Sequence, residues 1–183
     1  MNRIADFLFE AEILTELPRA GYPFLGSGKE SVAEHSFMTA FIAFTLSKMV
    51  PDINGERIVS MALIHDLPEA RTGDLNYVQK KYVYAMEDKA ISDMTQGLSF
   101  GSELSLLMEE FNRGETMESR LANDADQISF IMELKRLQDT GAKNPEKWLS
   151  VVMDRLKTDI GKKLAESIVS TTWDNWWMSQ YSE

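Results

Sequence analysis

Apolar residues recur at steps of three and four along most of this chain, and this helical periodicity limits its fold more than any other feature. The first such segment carries Ile4, Phe7, Leu8, Ala11 and Leu14 on one helical face. The ten glycines and five prolines fall mainly between such segments, where they end helices. Because no segment alternates apolar and polar residues as a half-buried strand does, the pattern predicts an all-α protein. A length of 183 residues favours a single domain over 1–183.

Later helices are predicted wherever the periodicity continues. They cover Ser31–Val50, Ile58–Ile64, Tyr77–Leu98, Glu103–Phe111, a long segment from Glu115 to near Gly141, Trp148–Leu156 and Leu164–Trp177. The Gly- and Pro-rich segment Arg19–Lys29 is predicted to be a loop. Since Ser31–Val50 is apolar on most faces, we expect a buried central helix there, with Phe37, Phe41 and Phe44 in the core.

Composition and charge exclude several classes of protein. The absence of cysteine excludes disulfides, thiolate zinc sites, iron–sulfur clusters and a cysteine nucleophile. The formal net charge of −10 disfavours nucleic-acid polymers as partners, although a local cation can still hold a small phosphorylated ligand. The longest apolar run, Ala40–Phe44, is far shorter than the ~20 residues of a membrane span, and residues 1–17 lack a signal-peptide core. We therefore expect a cytoplasmic protein with no membrane partner.

Polar residues interrupt the apolar helices at three places. The only two histidines, His35 and His65, each lie beside a carboxylate, and the third place is Asp124-Ala-Asp126. Each feature alone is more often an ordinary core or surface residue, but unpaired charge on a buried helix is costly and a bound cation compensates it. Imidazole and carboxylate ligands suit Mn²⁺, Co²⁺, Ni²⁺, Fe²⁺ or Zn²⁺. Residues two apart on a helix point in nearly opposite directions, so only one of Asp124 and Asp126 can face such an ion.

The flanks of these residues resemble a known family, the HD-domain metal phosphohydrolases, in which a His, a His-Asp pair and a distant Asp meet at one metal. The matching positions are His35, His65-Asp66 and Asp126. Their surroundings read Glu-Ser-Val-Ala-Glu-His-Ser, His-Asp-x-x-Glu-x-x-Thr-Gly-Asp and Leu-Ala-Asn-Asp-Ala-Asp, which look like the 5′-deoxynucleotidase branch. Arg19-x-Gly-Tyr22 is similar to the Arg-x-Gly-aromatic element of that branch, with Tyr where Trp is usual. The resemblance covers roughly residues 3–140.

The resemblance implies a single-domain HD-type helical bundle with one divalent metal ion. The metal-site motifs would lie within 19–140, followed by a helical, Trp-rich C-terminal extension over 145–183. The ligands implied are His35, His65, Asp66 and Asp126. Because the family places its ligand at the second Asp, we expect Asp124 to be solvated or to lie directly behind the ligands.

Three further residues have expected roles in catalysis or binding. Glu69 lies one helical turn beyond the ligand pair and is the candidate general acid or base. Arg19 is expected to clamp the phosphate, for which its planar fork is well shaped. The resemblance implies that Asp74 accepts a hydrogen bond from a sugar hydroxyl.

Together these features predict a metal-dependent phosphohydrolase that removes the 5′-phosphate from deoxyribonucleoside monophosphates, a small-molecule nucleotide substrate. One alternative is an HD-type hydrolase of another nucleotide, such as a dNTP or an alarmone, and a second is a non-catalytic metal-binding regulatory module. Glu69 and Asp74 favour catalysis, because a metal site alone needs neither. The resemblance implies a homodimer, and we expect Trp173, Trp176 and Trp177 to make packing or dimer contacts.

Overall fold

The computed structural model describes residues 1–181. Its helices are α1 (Asn2–Glu16), α2 (Tyr22–Leu25), α3 (Val32–Met49), α4 (Gly55–Ile64), α5 (Glu69–Thr72), α6 (Glu87–Thr95), α7 (Gly101–Arg113), α8 (Met117–Asp139), α9 (Pro145–Met153), α10 (Asp159–Ser170) and α11 (Asn175–Met178). Within residues 1–181 the only β-type pairing is an isolated bridge between Pro18 and Ser31, so the predicted all-α class is confirmed. None of the helices in this range is long and apolar enough to cross a membrane.

Helices α3, α4 and α8 form the centre of the fold. α3 packs against both α4 and α8, while α9 and α10 pack against α8. The main core contains the fully buried side chains Leu46, Ile58, Met61, Leu121, Ile128, Ile131 and Leu134. A second cluster connects α1, α6 and α7 to the start of α3, and it contains Leu14, Val32, Leu67, Met94 and Leu104. His35 on α3 and Asp126 on α8 therefore lie on central helices of the fold.

Side-chain caps fix where the three central helices begin. Ser31 Oγ accepts a hydrogen bond from the Glu34 backbone N–H at 3.1 Å, and Glu34 Oε2 accepts one from the Ser31 N–H at 2.6 Å. Asn54 and Thr116 cap α4 and α8 in the same way, each accepting from the N–H three residues later. Ser31, four residues before His35, fixes where α3 begins. It thereby helps to fix the direction of the His35 imidazole.

The prediction that Phe37, Phe41 and Phe44 lie in the core is wrong. Their side chains are 64%, 58% and 49% exposed. α3 buries its opposite side instead, through residues that include Ile42 and Leu46. A helix that is apolar on most faces is not necessarily covered on all of them, and periodicity cannot distinguish the two cases.

The predicted helix over Tyr77–Leu98 begins about ten residues later than expected, at Glu87. The preceding segment has no α-helix, only a 3₁₀ turn over Gln79–Lys81. Asn76 Oδ1 accepts hydrogen bonds from the N–H groups of Val78 and Gln79, both at 3.0 Å. A short polar side chain that binds the backbone in this way competes with helix formation.

The predicted helix over Leu164–Trp177 is interrupted. α10 ends at Ser170, and the backbone N–H of Trp173 donates to Asp139 Oδ2 at 2.9 Å. This hydrogen bond ties the segment after α10 to the end of α8. Trp177 packs edge-on against Trp173 with ring centroids 6.4 Å apart, which agrees with the packing role expected of these residues.

Candidate metal centre

Three of the predicted metal ligands, His35, His65 and Asp126, come together between three elements, and Asp66 lies beside the two imidazoles. His35 is on α3, His65 and Asp66 directly follow α4, and Asp126 is on α8. His35 Nε2 lies 2.9 Å from Asp126 Oδ1 and 3.8 Å from Asp66 Oδ2. His65 Nε2 lies 3.1 Å from Asp66 Oδ2 and 3.8 Å from Asp126 Oδ1. The donor atoms of His35, His65 and Asp126 are all within 4.8 Å of one another, a spacing that could hold a metal ion.

The imidazoles are oriented with one nitrogen toward this point. His65 Nδ1 lies 2.8 Å from the Ala62 carbonyl oxygen, to which it donates, so its Nε2 is left to accept. His65 Nε2 is buried, and among the described residues it has no hydrogen-bond partner. Ser129 Oγ lies 3.2 Å from His35 Nδ1 and holds that ring so that its Nε2 faces Asp126. A buried, unpartnered imidazole nitrogen beside two carboxylates fits a divalent metal ion, which would satisfy all of them.

The electrostatics of the cluster also favour a bound cation. Burial alone lowers the pKa of His65, but the carboxylates of Asp66 and Asp126 raise it to about 9. Burial acts in the opposite direction on Asp126, yet its hydrogen bond to His35 and the neighbouring imidazoles hold the pKa of this carboxyl well below its usual range. The two carboxylates therefore stabilise positive charge at the point where they meet, whether a proton or a metal ion supplies it.

Arg19 and Asp74 lie beside the cluster. Arg19 Nη1 is 3.9 Å from Asp66 Oδ2, and its Nε is 3.7 Å from Glu30 Oε2. Asp74 Oδ2 accepts a hydrogen bond from the backbone N–H of Ala20 at 2.6 Å, which ties the Arg19 segment to the chain after α5. The turn between α5 and Asp74 needs Gly73, whose φ of +76° is strained for other residues.

The pKa of Glu69 is unusually high for a carboxyl group. Burial is the main cause, and the negative charges of Asp66 and Asp74 add to it, so the pKa is raised to about 9. Without a bound cation, this environment favours the protonated form of Glu69, which can donate a proton.

A cavity of about 430 Å³ joins these groups, a size typical of small-molecule sites. Its polar lining includes Arg19, Asp66, Glu69, Asp74 and Asp126. It also has aromatic and cationic lining residues that were not anticipated from the sequence: Phe24, Tyr77, Phe130, Trp148, Lys80 and Arg155. The position of Phe130, one helical turn after Asp126, is a signal that could have identified it. Trp148 and Arg155 come from beyond the motif region, and no pattern in the sequence points to them.

The prediction for Asp124 is wrong. Its side chain is fully buried and does not touch the ligands. It accepts hydrogen bonds from Lys157 N at 2.7 Å, Thr158 N at 2.9 Å and Thr158 Oγ1 at 2.5 Å. Asp124 therefore connects α8 to the start of α10, whereas Asp126, two residues later, faces the histidines.

Metal loading should raise the melting temperature. A metal ion present at 100 times its dissociation constant stabilises the folded state by about 2.7 kcal/mol, which is about 5–10 °C for a chain of this size. The measurement is thermal unfolding of chelator-treated protein before and after addition of Mn²⁺ or Co²⁺. The His65→Ala variant, which lacks a ligand, is the control and should show little shift. Equal melting temperatures for stripped and metal-loaded wild-type protein would contradict the prediction.

A protein-family model matches most of the chain. The HD-domain family model matches residues 11–168. The match extends past residue 140, where the resemblance seen in the sequence ends, and it includes α9 with Trp148.

Curated relatives include two proteins named 5′-deoxynucleotidase. The chain is 29% identical over 141 residues to hdd1 of Schizosaccharomyces pombe, a match that covers 72% of this chain and 70% of that protein. It is 31% identical over 145 residues to HDDC2 of Dictyostelium discoideum, covering 73% of this chain and 76% of that protein.

Solved structures share the fold. A conserved hypothetical protein from Pyrococcus furiosus superposes with a TM-score of 0.77 at 32% identity, covering 90% of this chain and 96% of that one. A protein of Magnetospirillum magnetotacticum MS-1, described as a predicted metal-dependent phosphohydrolase, superposes with a TM-score of 0.73 at 23% identity, which shows a common fold alone. The family model covers most of this chain, and the matches to the curated relatives cover most of both proteins. This chain therefore belongs to the HD-domain family.

Proposed function

We propose that this protein is a metal-dependent phosphohydrolase that removes the 5′-phosphate from deoxyribonucleoside monophosphates. Membership of the HD-domain family and the similarity to two proteins named 5′-deoxynucleotidase support this function. The observation that carries it is the cavity in which the carboxylates of the candidate metal centre, a protonated Glu69 and Arg19 occur together with an aromatic wall.

His35, His65, Asp66 and Asp126 would hold one divalent ion, and their two nitrogen and two oxygen donors suit Mn²⁺, Co²⁺, Ni²⁺, Fe²⁺ or Zn²⁺. Such an ion supplies Lewis acidity, which polarises a phosphoryl oxygen and acidifies water. Ser129 and the Ala62 carbonyl hold the two imidazoles in position for it.

Arg19 and Glu69 act on the two ends of the bond that breaks. Burial alone lowers the pKa of Arg19, but Asp66, Asp126, Glu30 and Asp74 outweigh it and raise the pKa, so the guanidinium stays charged and can hold the phosphate. Water attacks phosphorus and releases a proton, the P–O5′ bond breaks, and Glu69 gives its proton to the departing O5′; the proton released by water restores Glu69 to its protonated form. The products are a deoxyribonucleoside and inorganic phosphate.

The rest of the cavity would bind the nucleoside. Asp74 is held by the Ala20 N–H through Oδ2, which leaves Oδ1 to accept from a sugar hydroxyl. Phe130 and Trp148, with ring centroids 6.3 Å apart, form part of an aromatic wall for the base. Stacking of this kind accepts any base, so we expect selectivity for the sugar to exceed selectivity for the base.

A panel of phosphate-release assays tests the function. Deoxyribo- and ribonucleotides, each as mono- and triphosphates, are incubated with the protein and Mn²⁺, Co²⁺ or Mg²⁺. Faster release from dAMP than from AMP and dATP is the expected result. Preference for triphosphates would favour the dNTP alternative, and stoichiometric metal without turnover of any nucleotide would favour a regulatory module.

Replacement of Glu69 by glutamine should separate catalysis from metal binding. Glu69→Gln keeps the shape of the side chain but removes the transferable proton, so kcat should fall by about 100- to 10,000-fold. The metal content should stay at the wild-type value, because Glu69 is not among the ligands. Glu166→Gln, which changes an exposed glutamate on α10, is the matched control and should leave kcat unchanged. Wild-type turnover in Glu69→Gln would exclude the proposed role.

We further propose that the protein is a cytoplasmic homodimer that acts on free nucleotides. The net charge of −10 supports small nucleotides over nucleic-acid polymers as substrates.

A further inference from the structure

The outward face of α3 carries an apolar stripe with a charge at each end. The stripe consists of Glu34, Phe37, Phe41, Phe44 and Lys48, and we call it the α3 seam. All five side chains are exposed, although the rest of α3 is largely covered. An exposed helix face is normally polar, and three adjacent phenylalanines there require a partner to cover them.

The spacing of the α3 seam is that of a helix-pairing surface. Its members follow one another at steps of three, four, three and four, so they stay on one side of the helix over four turns. The rings of Phe37 and Phe41 are neighbours, with centroids 6.4 Å apart. Such a continuous strip fits a second helix more closely than it fits a small ligand, for which a concave site is needed.

The α3 seam is also nearly symmetric about its centre. Glu34 lies seven residues before Phe41, and Lys48 lies seven residues after it. If a copy of the helix crosses α3 in the antiparallel direction at Phe41, Glu34 of each copy comes near Lys48 of the other. The charges are therefore complementary to those of an identical helix, and a two-fold axis produces this arrangement.

The apolar surface continues beyond α3. Phenylalanine side chains carry about 150–250 Å² each, so three that are half or more exposed offer about 300–350 Å². Met38 lies between two grooves, one that it lines with Phe37 and one that it lines with Trp173 and Trp176. Trp176 is 74% exposed and adds further apolar area toward the ~800 Å² per partner of a stable interface.

We propose that two copies of this chain pair through the α3 seam, antiparallel and with the two-fold axis beside Phe41. A protein with a net charge of −10 repels its own copies, and the uncharged centre of the α3 seam is a place where they can approach closely. The C-terminal tryptophans cover the edge of this interface, and the cavity of the candidate metal centre is lined by other residues.

The first test measures the mass of the full chain by light scattering and its dimer dissociation constant by sedimentation. Phe41→Glu places two negative charges against each other on the two-fold axis and should weaken the dimer at least 100-fold. Leu106→Glu is the matched control, because Leu106 is an exposed apolar residue on α7, which packs against α4, α6 and α8. This control should remain dimeric. A monomeric wild-type protein, or a Phe41→Glu variant as dimeric as the wild type, would overturn the proposal; the first result would indicate a different protein or a membrane as partner.

A second test locates the axis. The chain contains no cysteine, so an introduced thiol is the only one that can react. Phe41→Cys should be joined to its copy by a short bismaleimide at least tenfold faster than Leu106→Cys. Equal rates for the two variants would overturn the proposed position of the axis.

A third test addresses the antiparallel direction. Glu34→Lys and Lys48→Glu each place like charges together and should each weaken the dimer. The doubly substituted chain restores opposite charges across the interface, and its dissociation constant should return toward that of the wild type. Because Glu34 also caps α3, unfolding curves are recorded for all four proteins to separate folding from association. A double variant weaker than both single variants would overturn the antiparallel pairing.

Discussion

We expect His65→Ala to lower metal-dependent phosphate release from a deoxyribonucleoside monophosphate by about 1,000-fold or more, because a metal ion would supply several kcal/mol of transition-state stabilisation. His65 Nε2 is buried and lies 3.1 Å from Asp66 Oδ2, but among residues 1–181 it makes no hydrogen bond of regular geometry. Loss of this nitrogen would remove one of the two candidate imidazole ligands, and His35 with the two carboxylates would not hold the ion in the same geometry.

Three measurements are needed for this variant: phosphate release, metal content and the far-ultraviolet circular dichroism spectrum. We expect activity and bound metal to be lost together while the helical spectrum persists, since His65 is only the C-terminal cap residue of α4. Asp66→Ala should behave in the same way. If both variants keep full activity, the candidate metal centre is not the site of catalysis.

The candidate ligands could be predicted because the chemistry leaves few choices. The chain has no cysteine and two histidines, and both histidines lie in motifs that match one family. The structure brings their side chains together with Asp126, and Asp66 lies beside them. The assignment of Glu69 as acid or base gains support from its burial, which raises its pKa to about 9.

The cavity walls could not be predicted, because they depend on how distant segments pack. Trp148 and Arg155 reach the cavity only because α9 packs against α8. Tyr77 lines it because Asn76 holds the chain in a turn, where helical periodicity predicts a regular helix.

The exposure of Phe41 illustrates a second limit. A buried residue and an interface residue have the same apolar character, so a single sequence cannot say whether the covering surface comes from the same chain or from another. Phe41 and Ile42 are both apolar residues of α3, but Phe41 is exposed and Ile42 is buried. Only the arrangement of α1, α4, α8 and α10 around α3 shows which side stays open.

Asp124 and Asp126 lie two residues apart, but we expect substitution of Asp124 to affect folding and substitution of Asp126 to affect function. The resemblance favours Asp126 as the ligand, but nothing in the sequence shows that Asp124 is a buried cap. Two peptide N–H groups and the Thr158 hydroxyl donate to Asp124, and all three would lose their acceptor in Asp124→Ala. Unsatisfied buried donors cost about 1–3 kcal/mol each, and part of this cost is relieved by water and local rearrangement.

We therefore expect Asp124→Ala to lower the free energy of unfolding by about 3–5 kcal/mol, since it breaks a buried, charge-assisted network. For a chain of this length the melting temperature should fall by about 6–20 °C. Well below that temperature, the variant should keep its metal content, because Asp124 does not touch the ligands. Asp126→Asn is the matched control: it should lose bound metal and activity, while the unfolding of its metal-free form stays close to that of the metal-free wild type.

The close approach of Gly161 provides an independent check on this role of Asp124. A methyl group on Gly161 would overlap Asp124 Oδ2, so Gly161→Ala should destabilise the protein through the same contact. If the network is the cause, Gly161→Ala should cost much less stability in an Asp124→Ala background, where the overlap is absent. Fully additive losses in the double variant, or an Asp124→Ala protein that melts with the wild type, would show that α10 is held to α8 by other contacts. The distinction matters for the site, because Asp124 and Asp126 share one helix and a loosened α10 leaves α8 less firmly packed behind the ligand.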